Sequence, residues 1–321
     1  MAKIQDVAKL ANVSVSTVSR AFREDTVVNE ETRKLVLEKA REIGYYPNLL
    51  ARGLKTSENK TVGIIGSIDN PFYVDIIKAI ELELMKHGYH LLVGSTMHSA
   101  EREQYYLELM AGLRVAGVIM TPFFEEDSAH IDLAFKSGIP VVQLFRKPYK
   151  FLDSVLIDDE YGAYIATKTM IKSGHTRILL FDVPVSHACQ RSDGYRKAFA
   201  ENGLSLDENM IVITSDDDIP SVIEKLKPSA VITGVYEQGE KVFRYIKENN
   251  LKMPGDISVI MFDNVEWMEK LDIDAIAQPI DYVGLSASRL LIDRLSGASE
   301  KPVSLVLQPK YVARSSVGKP R

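Results

Sequence analysis

The run Ser14-Val15-Ser16-Thr17-Val18-Ser19-Arg20 holds the residues whose types and spacing could do chemistry, and that chemistry is recognition. On a helix that starts at Val15, the Arg20 guanidinium can fork onto guanine O6 and N7. The hydroxyls of Ser16 and Thr17 can serve bases or phosphates, and Val15 can touch a thymine methyl. A plain phosphate contact is the alternative for Arg20. Val18 points the other way, toward a core. Catalytic combinations are poor. His187-Ala188-Cys189 sets a base and a nucleophile two residues apart, which do not face one another on a helix. Asp216-Asp217-Asp218 lacks the further ligand spacing of a calcium loop and reads as a solvated turn. No phosphate loop, HExxH or GxSxG occurs. The expectation is a protein that is not an enzyme and uses no cofactor and no metal.

Three short helices must position that run. Between Ile4 and Gly44 apolar residues recur at helical spacing, as Ile4, Val7, Ala8 and Ala11, then Val15, Val18, Ala21 and Phe22, then Leu35, Val36, Ala40 and Ile43. Asn12-Val13-Ser14 interrupts the first run, and Ser14 and Asn29 are suited to cap the second and third helices. Helix, three-residue turn and helix is the spacing of a helix-turn-helix, whose second helix enters the major groove. Residues 46–60 read as a junction from Pro47 to a polar end; residues 48–55 make two helical turns at most, too short to be stable without a partner.

From Thr61 short apolar runs at 62–65, 91–93, 118–120, 141–144, 178–181, 210–213, 230–232 and 258–262 alternate with helical stretches at 73–86, 101–113, 161–173, 191–201 and 240–249. The repeat is strand then helix, so the class is a doubly wound α/β sheet, and two successive sets of four strands predict two similar lobes. The final residues read as a frayed tail without leucine heptads.

A chain of 321 residues exceeds what one core organises, and 45% hydrophobic with 26% charged residues is an ordinary globular composition. Cys189 is the single cysteine, which excludes an intrachain disulfide and fits a reducing compartment. The N-terminus has no apolar signal region and no later stretch reaches eighteen apolar residues, so a cytoplasmic protein with no membrane contact is expected. The net charge of −5 averages two unlike regions: residues 1–60 carry 11 Lys and Arg against 8 Asp and Glu, the remainder 28 against 36. A mildly basic head and an acidic body suit phosphate contacts made by the head alone.

The head carries Ile4-x-Asp6-Val7-Ala8, Val13-Ser14, Thr17-Val18-Ser19-Arg20, Val28-x-x-x-Thr32-Arg33 and Gly44-Tyr45-x-Pro47-Asn48-x-x-Ala51-Arg52-x-Leu54. In these motifs it resembles the lactose-repressor/galactose-repressor (LacI/GalR) family of bacterial regulators. The resemblance implies contacts to double-stranded operator DNA from Ser14, Val15, Ser16, Thr17, Arg20, Asn29, Tyr45, Asn48, Ala51, Arg52, Leu54 and Lys55. It also implies a junction that becomes a hinge helix when two subunits pair over DNA, with Leu54 as a wedge in the central minor-groove step; ordinary dimer packing is the other role open to Leu54. The body is similar to type I periplasmic sugar-binding proteins through Asp69-Asn70-Pro71-Phe72-Tyr73, Asp158, Gly174-His175, Phe262-Asp263-Asn264 and Gln278-Pro279.

That similarity implies an effector cleft formed by Phe72, Tyr73, Arg146, Asp158, Arg191, Tyr236, Asp263 and Gln278, with Arg191 holding the ligand and Asp263 accepting sugar hydroxyls. The cleft also departs from the family. Phe145-Arg146 stands where an Asp-Arg pair is common, Val235-Tyr236 where Asn-Asp or Ser-Asp opens a helix, and Asp159 replaces a frequent asparagine. These changes remove hydroxyl-binding carboxylates and add aromatic surface, which favours a ligand with an apolar face or an anion over a plain hexose. The organisation expected is a helix-turn-helix domain at 1–46, a hinge helix and linker at 47–60, and a two-lobed effector-binding and dimerisation domain at 61–321. The function expected is a homodimeric transcriptional regulator, a repressor of a pseudo-palindromic operator switched by a sugar or sugar derivative. The alternatives are control by a protein corepressor, as in catabolite-control members, and a solute-binding protein without a regulatory role.

Overall fold

The computed structural model describes residues 2–23, 27–47, 59–69, 71–123, 137–183, 191–213, 219–298 and 301–321. The chain forms two compact units, residues 1–59 and 60–321. In the first unit α1 (Ile4–Leu10), α2 (Val15–Ala21) and α3 (Glu30–Glu42) close over Val7, Val18 and Val36, all fully buried. Small residues at Ala11, Ala21 and Ala40 let the three helices approach one another. The turn between α1 and α2 places Asn12 at φ 52°, a left-handed conformation that asparagine tolerates. Helix α3 ends in a Schellman motif: Gly44 at φ 65° donates its N–H to the Arg41 carbonyl, and Tyr45 donates to Ala40. Arg33 fastens α3 to the end of α2, since its Nη1 donates to the carbonyls of Ala21 at 2.9 Å and Arg23 at 2.7 Å.

The second unit runs β1 (Thr61–Gly66), α4 (Pro71–Lys86), β2 (His90–Ser95), α5 (Ala100–Gly112), β3 (Gly117–Met120), β4 (Val141–Leu144) and β5 (Asp153–Ile157). It continues with α6 (Asp159–Lys172), β6 (Ile178–Asp182), α7 (Arg191–Glu201), β7 (Ile211–Ile213), α8 (Ile219–Leu226), β8 (Ala230–Thr233), α9 (Tyr236–Glu248) and β9 (Ser258–Phe262). It closes with α10 (Glu266–Lys270), β10 (Asp274–Ala277), α11 (Ile280–Leu295), β11 (Ser304–Leu307) and β12 (Lys310–Val312). The first sheet has the order β11-β5-β4-β3-β1-β2 and the second β12-β10-β9-β8-β6-β7. Strand pairing is parallel except between β10 and β12. Each sheet is covered by a hydrophobic core on both faces, which is why β1, β3, β4, β6, β8 and β9 read as short, largely apolar runs.

The two doubly wound lobes match expectation, but they are not halves of the sequence, and each sheet has six strands rather than four. The chain crosses between lobes three times, from β5 to α6, from β10 to α11 and from β11 to β12. Helix α11 returns to the first lobe, where Val283, Ala287 and Leu291 join the core of Val62 and Val142. Strands β5 and β10 escape a hydropathy reading because each opens with a buried aspartate. Asp153 is held by Arg294 at 2.6 and 2.8 Å, and Asp274 by the N–H and hydroxyl of Ser316 at 2.8 and 2.9 Å. Charges satisfied from more than forty residues away cannot be recognised locally. Met210, expected in a strand, sits in a single 3-10 turn, and β7 begins at Ile211.

Candidate nucleic-acid interface and ligand cleft

The first residues of α2 are shaped by a cap. The Ser14 hydroxyl accepts the Thr17 N–H at 3.1 Å and lies 2.8 Å from the hydroxyls of Ser16 and Thr17, so three hydroxyls cluster at the helix start. Val15, Ser16 and Arg20 are exposed and Thr17 is half-buried, while Val18 is sealed in the core. The amphipathic reading therefore places the expected contact residues on the outer face. Arg20 lies back along its own helix, its Nε donating to the Ser16 carbonyl at 3.4 Å. Asn29 has a structural task as well, for its side-chain oxygen accepts the N–H groups of Glu31 and Thr32 and caps α3. Tyr45 is half-buried with its ring edge-on to Phe22 at 5.8 Å, and burial raises its hydroxyl pKa. Asn48, Ala51, Arg52, Leu54 and Lys55 lie outside the described residues.

In the body, the order β2-β1-β3 and its counterpart β7-β6-β8 each contain a topological switch point, and ligands of open α/β sheets bind beyond the carboxyl ends of such strands. On the first lobe that end carries an aromatic group. Phe72 and Tyr73, on the first turn of α4, meet Phe145 after β4, with ring centroids 5.5 Å and 6.2 Å from it. Arg146 beside them donates to the Pro122 carbonyl at 3.1 Å. Burial pushes the Tyr73 hydroxyl up to about 12 against the lowering effect of Arg146, and the Asp263 carboxylate adds to the rise.

The second lobe supplies polar groups that are already bonded to one another. Arg191, at the start of α7, grips Asp159 Oδ1 through Nε at 3.0 Å and Nη2 at 2.8 Å, and its guanidinium carbon lies 4.5 Å from the Phe262 ring centroid. Both partners of this pair are buried. Asp263, 4% exposed, accepts the Tyr236 N–H at 3.1 Å and the Gln278 side-chain amide at 2.5 Å. It thereby satisfies the first turn of α9, whose N-cap residue Val235 makes no side-chain cap. Burial lifts the Asp263 carboxyl to about 7, with Arg191 pulling it down and Glu237 pushing it up.

Two of the expected cleft residues also make bonds within their own helices. Asp158 caps α6 by accepting the Tyr161 N–H at 2.9 Å. Tyr236 sends its hydroxyl to Glu240 at 2.8 Å and its ring edge-on to Trp267 at 6.3 Å; burial, ahead of the Glu240 bond, pushes that hydroxyl up to about 12. The expected cleft residues leave out Asp159, the partner of Arg191, which the sequence marks only as a departure from the family, and a polar cluster beyond β1 and β2. There Ser67 bonds Thr96 at 3.1 Å and the His98 N–H at 2.9 Å, and His98 Nε2 lies 3.2 Å from Asp69. The unusual Asp158-Asp159 pair was a signal for the first, whereas the cluster joins residues about thirty apart and left none. Gly194 lets α6 and α7 touch, since a Cβ there would stand 1.9 Å from the Glu160 carbonyl oxygen. Among the described residues no group of three His, Cys, Asp or Glu could hold a metal, and no helix is long and apolar enough to cross a membrane. The His187 to Cys189 and Asp216 to Asp218 runs lie outside the described residues.

Residues 3–48 match the model of bacterial regulatory proteins of the lacI family, and residues 58–315 match that of periplasmic binding proteins and the sugar binding domain of the LacI family. The HTH-type transcriptional repressor PurR of Vibrio campbellii is 32% identical, over 99% of each chain. Catabolite control protein A of Priestia megaterium is 34% identical, over 90% of this chain and 91% of its own. The fold is that of the lac repressor dimer bound to operator and an anti-inducer, at a TM-score of 0.81 with 22% identity over 99% of each chain.

Proposed function

The chain belongs to the LacI family of bacterial regulatory proteins, and from that premise we propose that it is a cytoplasmic repressor that pairs with a second copy to read a pseudo-palindromic operator. The observation that carries this is the outward face of α2, with Val15, Ser16 and Arg20 exposed around a capped helix start. Thr17 and the Ser14 hydroxyl border the same face, and Asn29 and Tyr45 set the helices that hold it. Asn48, Ala51, Arg52, Leu54 and Lys55 would form the hinge over the centre of the operator. Subunit pairing fits the exposed apolar side chains on the first-sheet edge, Val93 and Met97 of β2 and its following turn, with Leu82 and Met85 on α4.

The effector suited to the cleft is a sugar or sugar derivative. Phe72, Tyr73 and Phe145 offer rings to the apolar face of a pyranose, and Arg191, Asp263 and Gln278 offer groups to its hydroxyls. The role is binding and switching, without chemistry on the ligand. Control by a protein corepressor is the second reading, favoured by one observation: the buried Arg191 and Asp263 are engaged with Asp159 and Gln278. Genomic fragments bound by the full chain supply the operator, and titrating that complex with mono- and disaccharides tests the switch. A saccharide that binds the body must change operator affinity, because coupling requires unequal affinity for the two states; binding with no such change sinks the sugar switch. Arg20→Ala should weaken operator binding by about 5- to 150-fold while leaving random-sequence binding nearly unchanged. An equal loss on both DNAs would reduce Arg20 to a phosphate anchor.

A further inference from the structure

Away from the cleft, the body contains a hollow of about 640 Å³ built where the chain crosses between lobes. Pro279, in the crossover from β10 to α11, and Pro309, in that from β11 to β12, both line it. Its walls come from both lobes: Tyr282 belongs to α11 of the first, while Tyr161 and Lys172 of α6 and Lys310 of β12 belong to the second. The chemistry of the lining is consistent. Three tyrosines, three lysines and the apolar Ile165 and Leu307 line it, and no acidic residue is among those that do. Lys168 is already engaged by the Tyr164 hydroxyl and by Glu201 at 3.9 Å, and the Tyr311 hydroxyl donates to Asp274, which fixes that ring. Lys172 and Lys310 are exposed at the rim, as is Tyr282 at 65%.

A concave site of this size with apolar walls and a few charged groups of one sign has the features of a small-molecule site. Ammonium groups select an anion as point charges, and tyrosine faces and edges select a flat body. From these features we infer that the hollow is a second ligand site, for a small anion with an aromatic body, and that its occupant biases the angle between the lobes. The second half follows from the lining. A ligand that touches Tyr282 of α11 and Lys172 of α6 bridges the two lobes, so opening or closing them changes the gap it must fill, and unequal fit to the two states shifts their populations. The site lies wholly in the body, and its occupancy requires neither the operator nor a cleft ligand.

Phenyl phosphate is a suitable probe, titrated into the full chain by calorimetry with no DNA present. Saturable binding is expected, weakened by at least about ten-fold in the Lys172→Ala/Lys310→Ala variant and several-fold in Tyr282→Ala, with inorganic phosphate far weaker than the ester. Because these three residues are exposed, the variants should fold, and a circular dichroism melt checks this. No saturable binding in the low millimolar range, equal binding by the double-lysine variant, or inorganic phosphate binding as tightly as the ester would overturn the site. So would saturable binding of polyglutamate at the same lysines that phenyl phosphate fails to displace, since this marks a protein-docking face. Spin labels at Gln104→Cys and Lys247→Cys, in a Cys189→Ser background, read the lobe angle. A shifted distance distribution on adding phenyl phosphate is expected, and an unchanged one removes the coupling.

Discussion

Strands β4 and β9 hold the same place in their two sheets, and each is followed by a residue in the left-handed region, Phe145 at φ 62° and Asp263 at φ 63°. One backbone device thus presents two opposite side chains. Phe145 joins the rings of Phe72 and Tyr73, whereas Asp263 is wrapped by the Tyr236 N–H and Gln278 and lies within the field of Arg191. A left-handed turn kept in both lobes, at a cost of order 1–3 kcal/mol each, sets the direction of whatever side chain it bears beyond the carboxyl end of its strand. The difference teaches that the duplicated lobe fixes position, while the residue at the turn decides whether that wall is apolar or ionic.

The comparison breaks hardest at the ionic wall. Arg191→Ala leaves Asp159 buried without its guanidinium, so unfolding of the body in urea should show a loss of about 3–5 kcal/mol. Replacing both partners with apolar residues should recover most of it; if the double variant is as unstable as the single, the pair is not the source. Next in size is a pH effect. Burial raises the Asp263 carboxyl from 3.8 to about 7, so between those values the folded chain holds a proton that the unfolded chain releases. Stability from this group is complete below about pH 4 and is lost as pH rises through about 7, with a slope of at most ~1.4 kcal/mol per pH unit. Asp263→Asn should flatten the stability profile between pH 5 and 7.5, as read by urea midpoints, and an unchanged slope would place the proton elsewhere.

The apolar wall gives smaller effects. Phe145→Ala should destabilise by about 1–2 kcal/mol, because the ring is half-buried and packs on two others. Phe145→Gly should be as stable as the alanine variant or up to about 1 kcal/mol more so, reversing the usual order, because glycine carries no penalty at positive φ. A thermal melt in which the glycine variant falls below alanine would show that the turn is not strained. That outcome would remove the likeness between the two lobes at this point.

The sequence by itself determined the elements whose signals are local. Apolar spacing and the caps at Ser14 and Asn29 defined the three head helices, and eight short apolar runs defined six inner strands and the edge strands β2 and β7, because each signal lies within a few residues of the element it specifies. It also marked Phe145, Arg191 and Asp263 as residues of interest. Only the tertiary structure decided what binds what. Asp153 with Arg294 and Asp274 with Ser316 turn charged positions into strands, and Arg191 with Asp159 and Asp263 with Gln278 turn candidate ligand groups into a bonded wall. Each such pair joins residues between 15 and 141 positions apart. Its energy depends on exclusion of water by the whole packed lobe, which no local pattern records.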